Sequence, residues 1–250
     1  MATRSSVEAP ANIDENADAI LRVCSYHRRD FDLVVVRSRP HEMKPVEASL
    51  QAAFGSSPTA ELGLVDRLPP ELLWMVLRAL DVRSYVRFRQ VNRRARVLAT
   101  ELFEYKLVAR HGLEGLRGLL RAGLAHGFTV PDLHRTLVTY ACAACGAFGG
   151  LMFLFTAERC CFACLQSAAR YRVLPVSTFA KLVGISPRRL VRLVGPGLRT
   201  VPGIYNMMKT PARRPKYLLC EEKAAHVLLA SGNLNDDTRR KIRHRREQED

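Results

Sequence analysis

Between residues 64 and 107 the apolar positions fall into a helical rhythm. Leu72, Leu73, Val76, Leu77 and Leu80 share one face at the ~3.6-residue helical period. Pro70 and Glu71 suit the first turn, where a missing N–H is harmless and a negative charge favours the helix dipole. Trp74 lies well off that face. Asp81 caps, or turns into, a second short helix with Tyr85, Phe88 and Val91 on one side. Asn92 is a good N-cap for a third, on which Ala95, Leu98, Ala99 and Leu102 align. Helices this short cannot bury all their apolar faces on one another, so some of that surface awaits a partner.

The rhythm changes elsewhere. The first twenty residues read as flexible, residues 31–36 (FDLVVV) as a short strand, and the Ser-Ser-Pro-Thr at 56–59 as a linker before a new unit. Residues 113–137 read as further helix, with Gly127 as a stop and Pro131-Asp132 as a new start. Residues 177–193 have the spacing of two helices joined at Gly184, with Ser186-Pro187 capping the second and Gly195-Pro196-Gly197 ending it. A strand over 216–219 and a helix from Glu221 to about Ala230 follow, stopped by Ser231-Gly232-Asn233. From Asn235 the chain is polar, and residues 239–246 form a basic tail. Such runs are solvated and disordered, with nuclear import as an alternative role. No internal repeat is present.

Residues 138–157 carry no charge, and twenty such residues can span a bilayer. Against a span, the stretch holds glycines, cysteines, threonines and a tyrosine, and its most apolar run, LMFLF, covers only 151–155. A hairpin beside a metal-binding turn explains the same residues.

Composition narrows the partners. With 250 residues, 48% of them hydrophobic, the chain can bury a real core as one or two domains. Lys and Arg outnumber Asp and Glu by 39 to 24, a formal charge of +15 that favours acidic partners without choosing among them. Five of the seven cysteines fall within 142–164, and the polar opening of the chain reads as no secretory signal. Clustered cysteines of odd number point to a reducing compartment, cytoplasmic or nuclear, and to metal rather than disulfides.

The cysteines have metal-ligand spacing. Cys142-Ala-Ala-Cys145-Gly is a CxxCG turn, and fifteen residues later comes Cys161-Phe-Ala-Cys164. Two residues between paired cysteines let a tight turn aim both thiolates at one tetrahedral zinc. Gly146 helps where the turn needs positive φ. The interval fits a hairpin with residues 151–155 as one strand, and the second pair looks like the first turn of a helix, a treble-clef-like arrangement. Cys160 is an alternative to Cys161 that makes the second pair one residue wider. Four cysteine ligands leave no open coordination position, so the expected zinc is structural and not catalytic. Its contribution is on the order of 10–16 kcal/mol, comparable to a domain's net stability.

Residues 64–96, LVDRLPPELLWMVLRALDVRSYVRFRQVNRRAR, resemble an F-box, through Leu68-Pro69, Glu71-Leu72, Leu80-Asp81, Ser84 and Val91-Asn92. The alternative is an ordinary three-helix core. The resemblance implies docking on the small linker subunit of cullin-based ubiquitin ligases, with Leu68, Pro69, Leu72, Leu80 and Val91 as contact or support positions. With the blocks Cys142/Cys145, Glu158-Arg159-Cys160-Cys161-Phe162-Ala163-Cys164 and Val201-Pro202-Gly203-Ile204-Tyr205, residues 64–232 resemble a fungal F-box family.

The implied protein is mainly α with a small α+β part. It comprises an undefined region 1–60, a three-helix F-box-like module 61–107, a helical connector 108–137, a zinc-stabilised treble-clef-like domain 138–234 and a basic tail 235–250. By resemblance it is a non-enzymatic substrate receptor that holds the linker subunit with one part and a protein target with the other. The rival is a zinc-containing DNA-binding regulator, in which residues 177–193 form a helix-turn-helix and Arg188, Arg189 and Arg192 touch nucleic acid. The second helix, only about seven residues long before Gly195, is short for a major groove. Enzyme readings find little: no phosphate loop follows a strand, and the histidines are scattered.

Overall fold

A computed structural model of the chain describes residues 40–53, 55–201 and 214–233. The strand expected at 31–36, Cys24, the block at 202–205 and the basic tail from 235 lie outside the described residues. The described chain is mostly helical with small sheets.

The expected three short helices form. They are α2 (Pro70–Ala79), α3 (Val82–Arg89) and α4 (Arg93–Glu101), and they are preceded by α1 (Pro40–Gln51). Asp81 caps α3, accepting from the Ser84 N–H at 3.0 Å and from its hydroxyl at 2.6 Å. Asn92 caps α4, accepting from the Ala95 N–H at 2.8 Å. Then follow α5 (Phe103–His111), α6 (Leu113–Ala122) and α7 (Val130–Val138).

Two details depart from the sequence expectation. The stop after α6 is Gly123, left-handed at φ 79°, rather than Gly127, which sits in a short 3-10 turn. The next helix starts one step earlier than Pro131-Asp132. Thr129 is the N-cap and Asp132 completes a capping box, with the Thr129 N–H donating to its carboxylate at 2.9 Å.

The apolar stripe of α2 also divides. Leu73 and Leu77 are buried at 5% and 2% exposure, whereas Leu72 and Val76 stay out at 45% and 53%. One residue is about 100° of helix rotation, so the five positions span more arc than one neighbour can cover. Trp74, expected off the packed face, packs against the core with Leu80. It stands three residues before Leu77, only about 60° away around the helix. Val91 lies beyond the end of α3 and is exposed, so it does not share a face with the buried Tyr85.

One continuous apolar cluster runs from Leu50 of α1 through Leu77, Tyr85, Tyr105, Leu116 and Leu133 to Ala157. At its centre the rings of Tyr85 and Tyr105 lie 5.0 Å apart. Both hydroxyls are satisfied by carbonyls, Tyr85 by Ala99 and Tyr105 by Leu50 at 2.6 Å. The Arg89 guanidinium stacks 4.7 Å from the Tyr105 ring and donates to Ser49 O, Ala52 O and Thr100 Oγ1. Buried cation and phenols together hold the end of α1 against α3 to α5.

The uncharged run 138–157 becomes the end of α7, a cysteine turn and a hairpin; no helix among the described residues is long and apolar enough to cross a membrane. In the hairpin, β1 (Leu151–Phe153) pairs antiparallel with β2 (Glu158–Cys160), shorter than the expected 151–155 because the chain turns from Leu154. Met152 and Leu154 reach back to α6, which meets them with glycines. A Cβ on Gly115 would lie 2.7 Å from Met152 Cε, and one on Gly118 3.3 Å from Leu154 Cδ2.

After α8 (Phe162–Ser167), β3 (Val173–Pro175), β4 (Leu198–Arg199) and β5 (Tyr217–Cys220) make an antiparallel sheet in the order β3-β5-β4. The pair α9 (Val176–Val183) and α10 (Pro187–Val194), with α11 (Glu221–Ala230), buries Phe179, Ala180, Leu190, Ala224 and Leu228 with Leu174 and Leu219. Gly197 has φ +71°, and a Cβ there would stand 2.4 Å from the Leu218 carbonyl oxygen, so glycine is required.

Candidate metal centre and partner surface

The cysteine centre is assembled by three local structures. In the turn, the Gly146 N–H donates to Cys142 O at 2.9 Å and the Cys142 N–H to Ala147 O at 2.6 Å, with Gly146 at φ +77°. The hairpin brings β2 alongside, where the Ala143 N–H donates to Arg159 O at 2.9 Å. Cys161 is the N-cap of α8, its Sγ accepting from the Cys164 N–H at 3.3 Å. Knuckle, hairpin and helix are the treble-clef-like elements the spacing implies.

The Sγ atoms of Cys142, Cys145, Cys161 and Cys164 all lie within 4.8 Å of one another, and Cys145 and Cys161 are 3.7 Å apart. A tetrahedral ion with bonds of about 2.3 Å to sulfur sets its ligands about 3.8 Å apart, so the four thiols are close enough that they could hold a metal ion. Cys160 is not in the cluster. Successive strand residues point to opposite faces, and Cys160 turns inward, fully buried with Phe153, Phe155, Tyr171 and Cys220.

The thiols divide a shared charge. Backbone N–H groups of Cys145 and Cys161, directed at the Cys142 sulfur, pull its thiol down to about 6. Hydrogen bonding with the Cys145 and Cys161 thiols pushes Cys164 up to about 12. Four thiolates this close repel, and a cation is what would let all four ionise. Tyr171 adds a buried hydroxyl; burial, then the neighbouring Cys142, push its phenol up. Cys142 is buried and Cys145 exposed, so the centre opens to solvent on one side.

Arg159 ties this centre to the helical core. Its guanidinium donates to Thr136 O at 2.8 Å, Thr139 O at 3.1 Å and Leu137 O at 3.1 Å, satisfying the end of α7. Thr136 Oγ1 donates to Ala157 O from the other side. Glu158 pairs with Arg170 at 2.6 Å, and Lys223 Nζ donates to Phe155 O at 3.0 Å. Gly149 is tightly packed. A Cβ there would stand 3.0 Å from Arg159 Cβ and 3.2 Å from the Cys142 and Cys160 nitrogens.

A second feature lies at the other end of the helical core. Leu64, Val65, Leu68, Leu72, Met75 and Val76 are exposed large apolar residues, with Met75 at 65%. Leu68 ends a 3-10 turn (Gly63–Arg67), and Leu72, Met75 and Val76 follow on the solvent side of α2. That turn is held by Asp66, which accepts from the Leu62 N–H at 2.6 Å and pairs with Arg94 at 3.2 Å. Of the five sequence-named partner positions, Leu68, Pro69, Leu72 and Val91 are exposed, and Leu80 is half-buried against the core. Met75 and Val65 were not singled out by sequence. The helical period marks apolar residues but not which of two apolar faces the core takes.

The 177–193 segment does fold as two helices, with Gly184 left-handed at φ 74° and the Ser186 hydroxyl accepting from the Arg189 N–H at 3.3 Å. Arg188, Arg189 and Arg192 are exposed on α10, an eight-residue helix. His126, with Nδ1 3.0 Å from Gly123 O, and His134, against the Phe103 ring, make packing contacts, and His226 is exposed; none of the three joins the cysteine cluster.

Comparison with known families finds one match: the F-box domain model aligns with residues 65–107. It covers α2 to α4 and most of α5, and five of the six exposed apolar residues. No significant match is found among curated proteins or among solved structures.

Proposed function

We propose that this chain is an F-box-type substrate receptor of a cullin-based ubiquitin ligase. An F-box domain supports an adapter role in general, since such domains bind the ligase's linker subunit and are typically non-enzymatic. The observation that carries the reading is the coincidence of that match with an apolar face left exposed on an otherwise well-packed helical core. An apolar face of this kind on a stable module is a docking surface. Leu68, Pro69, Leu72 and Val91 would be its contact residues, joined by Met75 and Val76, while Leu80 would support them from the core.

The rest of the proposal concerns the target side. Cys142, Cys145, Cys161 and Cys164 would hold a structural zinc, favoured over harder ions because all four donors are soft thiolates. Zinc supplies cross-linking of knuckle, hairpin and helix; with four protein ligands no position remains for substrate. Residues 61–107 would be the ligase-facing module, 108–137 a connector, and 138–234 the target-facing domain of an intracellular, cytoplasmic or nuclear protein. No chemistry is assigned to the chain. It would raise the local concentration of target lysines near the ubiquitin-charged enzyme.

Co-purification of the linker subunit tests this. Wild type should retain it, and the Leu68→Ala, Pro69→Ala, Leu72→Ala triple variant should not. If neither form retains it, the adapter reading fails.

A further inference from the structure

A cleft lies where α9 and α10 begin, against the start of β5. It has a volume of about 970 Å³ and is lined among others by Val176, Val191, Tyr217, Arg188, Arg192 and Lys216. That volume lies within the roughly 300–1,000 Å³ of ligand-binding pockets. Its floor is apolar and proline-rich. Pro175, the N-cap of α9, provides no side-chain cap, and Val176, Ser177 and Thr178 of that helix's first turn line the cleft.

The charge around this floor has one sign. Arg188, Arg192 and Lys216 are all exposed, and among the described residues no acidic side chain lines the cleft and none of the three forms an ion pair. Arg189, the intervening cation on α10, points elsewhere and bonds to Asn233 Oδ1 at 3.1 Å. Two arginines one helical turn apart and a lysine across the gap place carboxylate-binding forks around an apolar seat. Duplex DNA fits this less well, because its phosphate contacts make no use of an apolar floor between the cations.

Building on the adapter reading, we infer that this cleft captures an acidic peptide segment of the protein target. An apolar or aromatic side chain sits on Val176, Val191 and Tyr217, and flanking carboxylates pair with Arg188, Arg192 and Lys216.

A random twelve-residue display library selected on the full-length protein tests it, with individual winners then measured by fluorescence anisotropy. The expected winners are acidic around an apolar or aromatic residue. They should lose at least about tenfold in affinity on Arg188→Glu/Arg192→Glu, while Arg189→Glu, which also reverses a charge on α10, changes affinity less than about twofold. All three side chains are solvent-exposed, so the variants should fold as wild type does. Winners without acidic bias, winners that bind the double variant equally well, no winners at all, or displacement of the peptides by a twenty-base-pair duplex would each overturn the inference. The linker subunit is titrated into the same preparations, and its binding should be unchanged by the double variant. If the linker fails to bind wild type while the acidic peptides do bind, the adapter reading falls and the cleft stands.

Discussion

The helical core and the cysteine centre solve the same problem by different means. The core from Leu50 to Leu133 is continuous and built on large side chains, with Tyr85, Tyr105, Leu116 and Leu119 fully buried. The region around Cys142 to Tyr171 has strands of three residues, a six-residue helix and a small apolar cluster in which two of the buried members are aromatic rings of one hairpin, Phe153 and Phe155, 5.4 Å apart. Packing of that extent cannot by itself offset the entropy of ordering so many loop residues. The first region should therefore stand on packing and the second on the metal proposed for its four cysteines. That division also separates the proposed tasks, since the apolar face at Leu68 to Val76 belongs to the part that needs no ion.

Stripping the metal should break the comparison most sharply. Chelation, or Cys142→Ser with Cys164→Ser, removes a contribution on the order of 10 kcal/mol. Hydrogen exchange over residues 141–171 should become fast, while the emission of Trp74, the only tryptophan and part of the helical core, stays as it was. If Trp74 shifted together with the exchange, the two regions would be one cooperative unit. Acidification should act in the same direction. Thiols must ionise to bind, so affinity falls as pH falls. Metal release followed by a colorimetric indicator should therefore increase as the pH is lowered.

The converse experiment empties the helical core. Tyr105→Ala deletes a buried ring that stacks on Arg89 and bonds to Leu50 O, at a cost of about 3–5 kcal/mol. The urea midpoint reported by Trp74 should fall accordingly, while metal content should remain stoichiometric.

Arg159→Ala probes the junction. Three carbonyls at the end of α7 would lose a charged donor, worth about 1.5–3 kcal/mol. Because Arg159 lies on β2 beside Cys160 and Cys161, metal affinity should weaken too, with Trp74 little affected. Loss of Trp74 burial with retained metal would place the junction elsewhere.

Asp81→Ala is the smallest, about 1 kcal/mol for a lost N-cap. Burial works to raise the Asp81 carboxyl, but the Ser84 hydroxyl and N–H outweigh it and hold the group below its ordinary value. A carboxyl depressed in the folded state stabilises above its unfolded pKa and loses that stability as pH falls through its folded one. The wild-type advantage over Asp81→Ala, read from thermal midpoints, should therefore shrink on the acid side of the carboxylate range and be flat above it.

What was legible in the sequence follows from how local each feature is. The CxxC pairs, Gly146 and the helix-borne second pair are specified within a few residues, and they fold as spaced. The choice between Cys160 and Cys161 turns on strand alternation, which becomes fixed only once β2 pairs with β1. The burial of α2 was not legible, since both Leu72/Val76 and Leu73/Leu77 are apolar and the period cannot say which pair meets a neighbour. Helix α1 was less so. It carries Pro45, and it docks by its own carbonyls, at Ser49, Leu50 and Ala52, to Arg89, Arg96 and Tyr105 far along the chain. The use of Gly115 and Gly118 as seats for Met152 and Leu154 is likewise a long-range fact.

The central claim is that a packed helical module binds the ligase's linker subunit through the face at Leu68 to Val76. Titration calorimetry of the purified linker subunit into the full chain, with metal present and after chelation, tests it most directly. The account predicts one-to-one binding of similar affinity in both states, weakened more than about a hundredfold by the Leu68→Ala, Pro69→Ala, Leu72→Ala variant. Absence of binding heat from folded, metal-replete wild type, or equal binding by the triple variant, would contradict it.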